Sequence, residues 1–123
     1  MSNFSNEQKE AVWKKGTSVE GYDNDKYRKD ACGAWMTKDK YGKEELYGWE
    51  IDHVYPEAKG GNDSLVNLRP MQWGNNRSKD DNYPSYESEV KSSGKKNIYE
   101  KDNWTVKKSL KEKLKKLYNI KES

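Results

Sequence analysis

An α+β fold is predicted by three features of the sequence. Residues 49–81 read as strand, loop, strand and helix in direct succession. A capped helix precedes them, and a lysine-rich amphipathic helix follows.

Taken in order, Ser5 is followed three residues later by Gln8, a capping-box pattern. It starts a helix that should run to about Lys15 and stop at Gly16. Residues 16–25 are loop, and residues 25–30 form a helical turn or an irregular approach. Residues 31–36 are expected to be a strand pairing with residues 47–54, with the polar residues 37–46 as a long hairpin connection. Trp49, Ile51, Val54 and Tyr55 give the next strand its β-branched and aromatic character, and Pro56 ends it close to His53. Gly60, Gly61, Asn62 and Asp63 are loop residues. A short apolar return over 65–68 is stopped by Pro70, and residues 71–79 read as a short helix.

Beyond Asp81 the chain turns polar, and residues 87–96 read as a linker. Residues 97–100 are a weak strand candidate. Asn103 is an N-cap for a helix over 104–118, on which Val106, Leu110, Leu114 and Leu117 form one stripe among lysines. The expected division is a domain over 1–90, with its core motif at 47–81. A basic linker and amphipathic helix over 91–123 should dock on the same domain.

The length of 123 residues allows one domain with a modest core. Apolar residues make up 31 % and charged residues 37 %, a balance that drifts toward disordered chains. Five Trp and nine Tyr offset it, because rings bury much area per residue. The net charge of +3 is unevenly placed. Residues 1–90 hold 13 Lys+Arg against 17 Asp+Glu, a net of −4, whereas residues 91–123 hold 11 Lys against 4 acids, a net of +7. A basic tail of this kind suits a polyanion, and nucleic acid is the usual one. The single cysteine, Cys32, excludes an internal disulfide and a Cys-x-x-Cys zinc pair, so no structural zinc is expected. The thiol is read as a small buried residue with nothing beside it to activate it. With neither a signal peptide nor an apolar run that could span a bilayer, a soluble cytoplasmic protein is expected.

The polar residues of 49–81 have a chemical logic. Asp52 and His53 stand where the first strand runs out, Asn67 lies in the return segment, and Asn76 shares a helix face with Trp73 and Lys79. Hard oxygen ligands beside a histidine and a lysine suit a Mg²⁺-type cation holding a phosphate. Neighbouring strand residues point to opposite faces, so Asp52 and His53 should serve opposite sides of a phosphorus centre. The pattern of Asp-His, a Gly-Gly-Asn-Asp loop, Asn-Leu and then Asn-Arg-x-Lys closely resembles the HNH endonucleases and their ββα-metal core, over about a quarter of the chain.

That resemblance implies a small ββα-metal core with an N-terminal helix, an extra antiparallel strand and a C-terminal lysine-rich helix. It implies hydrolysis of DNA phosphodiester bonds, by nicking or double-strand cleavage. His53 would be the general base, Asn67 would brace the loop that presents it, and Asp52 and Asn76 would hold one divalent cation. Mg²⁺ is the expected ion, with Mn²⁺ or another divalent ion as substitute. The Asn-Arg-x-Lys register selects Asn76 over Asn75. Arg77, Lys79, Lys107, Lys108 and Lys111 are the candidate phosphate contacts, with Lys79 equally readable as a solvated lysine at a helix end. DNA is the expected partner; a homodimer through the C-terminal helix is the alternative to a monomer. Two rival functions stand beside this reading: a nucleic-acid-binding module of little catalytic power, and a non-specific DNase or RNase toxin.

Overall fold

The structure, a computed structural model, describes residues 3–121. Among these residues are three α-helices and six strands in three two-stranded antiparallel sheets. The mixed helix and strand content is the expected α+β class.

Helix α1 (Asn6–Trp13) begins at the expected capping box: Gln8 N donates to Ser5 Oγ at 3.1 Å, and Ser5 N donates to Gln8 Oε1 at 2.8 Å. Strands β1 (Tyr27–Lys29) and β2 (Trp35–Thr37) pair with each other. This corrects two expectations. Residues 27–29 are extended rather than helical, and the strand within 31–36 pairs backward with β1, not forward with 47–54. Asp30 causes the reversal: its Oδ1 accepts from the amides of Cys32 and Ala34, both at 2.9 Å, which folds the chain into a tight turn. The segment expected to be a plain connection after β2 contains a 3₁₀ turn at Lys38–Lys40.

Strands β3 (Trp49–His53) and β4 (Leu68–Gln72) form the central hairpin, with Asp52 opposite Arg69 and His53 opposite Leu68. A 3₁₀ turn at Leu65–Asn67 occupies most of the segment expected to be strand. Pro70 does not stop β4 but sits within it. Leu68 O accepts from Lys15 Nζ and Gln72 N donates to Asp30 Oδ2, so alternate residues of β4 turn their backbone groups away from β3. Pro70 is one of these, and its missing N–H leaves the ladder to β3 intact. Helix α2 (Trp73–Lys79) follows β4 directly, its start capped by Gln72, whose side chain accepts from Asn75 N at 3.0 Å.

The two faces of this hairpin are buried by different partners. Trp49, Ile51 and Leu68 join Val12, Trp13 and Met36 in one cluster on the α1 side. Val54 and Met71 join Cys32, Tyr86, Val106 and Leu114 in a second. Cys32 is 2 % exposed, and burial first, then the charge of Asp30, pushes its thiol pKa up to about 12. Cys32 should therefore resist alkylation at pH 8 in the native protein and react fully in denaturant. Comparable labelling in both states would show that the second cluster opens readily.

The expected linker is a long hairpin. Strand β5 (Ser85–Ser93) pairs with β6 (Lys96–Thr105) around a two-residue turn at Gly94 and Lys95, with a register shift between Ser88 and Val90. The expected boundary after residue 90 falls inside β5, and Asn103 and Trp104 are strand residues. Helix α3 (Lys108–Tyr118) starts four residues later than expected. Leu114 is fully buried and Leu110 packs beside it, but Leu117 is 45 % exposed, and Tyr118 takes the inward place instead. No helix among the described residues is long and apolar enough to cross a membrane.

Candidate active site at the end of strand β3

Asn67 fixes the turn that leaves β3. It is fully buried; its Oδ1 accepts from Tyr55 N at 2.7 Å, and its Nδ2 donates to Tyr55 O at 3.0 Å and Asn62 O at 3.1 Å. One carboxamide thus ties both ends of the loop between residues 55 and 62. The loop closes so tightly that a side chain on Gly61 would put its Cβ 1.8 Å from Tyr55 O, a contact only glycine avoids. Helix α3 holds the same loop from outside: Tyr118 Oη donates to Asn62 Oδ1 at 2.7 Å, and the rings of Tyr55 and Tyr118 stack at 5.3 Å.

His53 projects on the α1 side, its ring 6.0 Å from that of Phe4 and its side chain 12 % exposed. Carboxylates flank both ring nitrogens. Asp63 Oδ1 lies 2.7 Å from Nε2, and Glu57 Oε1 lies 3.8 Å from Nδ1. Among the described residues, His53, Glu57 and Asp63 each offer a ligand atom within 4.8 Å of the others. One nitrogen and two carboxylate oxygens make a donor set that suits a divalent cation. The sequence reading missed Glu57 and Asp63. Their signal was spacing alone: Glu57 lies four residues after the histidine, and Asp63 ends the Gly-Gly-Asn-Asp loop.

Asp52 points the other way, toward α2, and is 3 % exposed. Its two oxygens are taken by two cations: Arg69 Nε donates to Oδ2 at 2.9 Å, and Lys79 Nζ lies 3.2 Å from Oδ1. Lys79 also donates to His53 O at 3.2 Å, and its side chain has no exposed surface. Burial pushes the Lys79 pKa down, and the Asp52 charge opposes that shift. Lys79, expected to hold a phosphate or to stand solvated at the helix end, is instead the centre of a buried ion network behind His53. In this arrangement it has no surface with which to meet a phosphate.

Asn76 reaches the same hairpin face but a different acid. Its Nδ2 donates to Glu50 Oε1 at 3.0 Å. Arg77 donates to the same carboxylate through Nε at 3.1 Å and Nη2 at 2.8 Å, and it lies over the Trp73 ring at 5.6 Å. The structure brings Asp52 and Lys79 together and Asn76 and Glu50 together, but it does not join Asp52 to Asn76. Asn75 is fully buried among backbone groups of β5. Lys107 and Lys108 are exposed and Lys111 is half-buried, all at one end of α3.

Comparison with known families finds the HNH endonuclease profile over residues 35–85, which contain β2, the β3–β4 hairpin and α2. Over those residues the chain is similar to the HNH endonuclease family. Comparison with curated proteins and with solved structures returned no match. The matched segment includes His53, Asn67, Asp52 and Asn76, and it ends at the start of β5. The β5–β6 hairpin and α3 lie beyond it, yet α3, through Asn62 and Tyr55, supports the loop that leads to Asp63.

Proposed function

We propose that this protein is a metal-dependent HNH endonuclease that hydrolyses DNA phosphodiester bonds through a ββα-metal core, with His53 as general base. The observation that carries the reading is the environment of His53: a histidine at a strand end, on a turn locked by Asn67, with a carboxylate on each side of its ring. Asp63 accepts from Nε2–H and so leaves Nδ1 as the basic nitrogen. Nδ1 takes a proton from water, the water oxygen attacks phosphorus, and the bond from phosphorus to the 3′ oxygen breaks, that oxygen taking a proton from solvent. The products are a 5′-phosphate and a 3′-hydroxyl. Asn67 holds the imidazole in place through the loop rather than touching substrate. A divalent cation, Mg²⁺ by expectation, neutralises charge on the phosphate and the departing oxygen when bound.

Two donor sets are candidates for that cation. Asp52 and Asn76 form the set the HNH pattern implies, but Asp52 is held by Arg69 and Lys79 and Asn76 by Glu50, so both would have to exchange these partners to meet one ion. His53, Glu57 and Asp63 form the second set, and this reading is favoured by the closeness of their ligand atoms. In the second set His53 would be a ligand and not the base. The buried side of α3 supports a monomer, because Leu114 is spent within the protein's own core.

The test is cleavage of supercoiled, linear and single-stranded DNA and of RNA by the purified protein, with Mg²⁺, with Mn²⁺ and with chelator. Nicks in supercoiled DNA that appear with Mg²⁺ and vanish with chelator are the expected result. Binding without cleavage under every condition would replace this reading with the nucleic-acid-binding module, and RNA cleavage with little selectivity would favour the toxin. The cation set is separated by comparing Asp52→Ala with Glu57→Ala, because the true ligand variant should need more Mg²⁺ for half-maximal rate.

A further inference from the structure

A cleft of about 710 Å³ runs along the outer edge of β4, between the end of α1 and the start of α3. Lys15, Lys29, Arg69, Lys107 and Lys113 line it, and Asp30 is the one acid among the lining residues. The cleft therefore concentrates a net +4 in a chain whose total is only +3. His53, Glu57 and Asp63 do not line it.

Only part of this charge is balanced: Arg69 is paired with Asp52, while the Asp30 oxygens are spent on Cys32 N, Ala34 N, Gln72 N and Asn75 Nδ2. Arg69 shares Asp52 with Lys79, and its Nη2 is buried with no hydrogen-bond partner among the described residues. Lys107 and Lys113 are exposed. Burial first, and then the charges of Arg69 and Lys113, push the Lys15 pKa down, as expected where cations crowd without a counter-ion.

The occupant is limited by the edge itself. A bound peptide strand would need the free backbone groups of β4, but Lys15 takes Leu68 O, Asp30 takes Gln72 N, and Pro70 has no N–H. What remains open is a positive wall with the half-buried ring of Trp104 beside it. Side chains of this kind meet phosphate through charge and sugar or base through a ring face. We infer that this cleft binds a phosphate group of the nucleic-acid backbone at a site apart from the one that hydrolyses it. The inference rests on the nuclease reading for its source of phosphate, and the cleft explains how lysines at and near α3, outside the matched segment, would hold substrate.

The test compares binding of a short DNA duplex by the full chain, in chelator, at several salt concentrations. The variants are Lys107→Glu/Lys113→Glu in the cleft and Lys95→Glu/Lys96→Glu on the exposed turn of β5–β6, which change net charge equally. Thermal melting checks that each is folded. The cleft variant should weaken binding and lower the slope of log affinity against log salt by about 0.9 for each phosphate it no longer neutralises. The turn variant should move neither by as much. Equal effects from both pairs, or none from the cleft pair while the wild type binds duplex, would overturn the inference and leave the nuclease reading standing. Inorganic phosphate is the second probe. If it binds the wild type and not the cleft variant, while duplex binding is the same for both, the source is free phosphate and the backbone assignment falls. Failure of the wild type to bind or cut any nucleic acid removes the nuclease reading, and the assignment to backbone phosphate with it.

Discussion

Replacing His53 by alanine is expected to slow DNA hydrolysis by about 10²–10⁴-fold, the usual effect of removing a positioned base. That decrease corresponds to roughly 3–5 kcal/mol of transition-state stabilisation. Affinity for DNA should be unchanged, because the imidazole is mostly buried between Phe4, Glu57 and Asp63 and offers little surface to a duplex. The defect should persist at every Mg²⁺ concentration, and added imidazole should restore part of the rate. The rival role for His53 gives a different pattern. If it is a ligand in the His53, Glu57 and Asp63 set, the variant recovers as Mg²⁺ rises and imidazole does little. Asp63→Asn sharpens the comparison, since it keeps an acceptor beside Nε2 while removing the charge that stabilises an imidazolium. A His53→Ala protein cleaving at close to the wild-type rate would end the general-base mechanism.

The site is legible in the sequence where short-range rules and chain pattern agree. Ser5 and Gln8 form the expected cap, β3 ends at His53, and Asn67 lies within reach of the loop it is expected to brace. The convergence of side chains across elements is legible only in part. Asp52 and Asn76 both stand on the side of α2, but the expected meeting of the two is not seen. Which acid each meets depends on where Lys79 and Arg69 reach, and no spacing encodes that. The β5–β6 hairpin escapes a sequence reading for a physical reason. Inward positions on β5 are Tyr86, Ser88 and Val90, and β6 buries little besides Asn97 and half of Trp104, so the period-two apolar signal is absent. Side-chain amides hold the hairpin down: Asn97 of β6 donates to Trp35 O and Leu46 O, and Asn75 of α2 clasps the Val90 backbone of β5. The readable signal is Gly94 between two polar runs, where φ of +62° suits a two-residue hairpin turn.

Placing Asn103 and Trp104 in β6 also changes what a truncation can report. Removing residues 91–123 as a separable basic tail would cut through β5, delete β6, and release Asn62 and Tyr55 from Tyr118. Point charge changes on α3 are therefore the cleaner probe of its lysines.

Asn75→Ala is expected to be the most destabilising of the single changes considered, by about 3 kcal/mol or more, with a fall in Tm of roughly 10 °C. Asn75 Nδ2 donates to Asp30 Oδ2 at 3.1 Å and to Val90 O at 2.9 Å, while its Oδ1 accepts from Glu89 N at 2.9 Å and Val90 N at 2.8 Å. One buried carboxamide therefore seats α2 in the irregular stretch of β5 and supplies a donor to a buried carboxylate. Alanine strands these groups away from solvent, and each buried group left unpaired costs about 1–3 kcal/mol. Asp30 is the most sensitive of them, because burial already pushes its pKa up and Asn75 is one of the four donors that resist the shift. Without that donor the carboxyl pKa should rise further. A carboxyl whose folded pKa lies above its unfolded value keeps its proton longer in the native state. Stability should then fall as pH rises from the unfolded value of 3.8 through the folded one, more steeply in the variant than in the wild type. Asn76→Ala is the contrast, since it removes only the bond to Glu50, which Arg77 continues to hold. Its Tm should stay within a few degrees of the wild type, so any fall in activity would belong to the site. If Asn75→Ala melts like the wild type but cannot cut DNA, the ligand position on α2 is Asn75 and not Asn76.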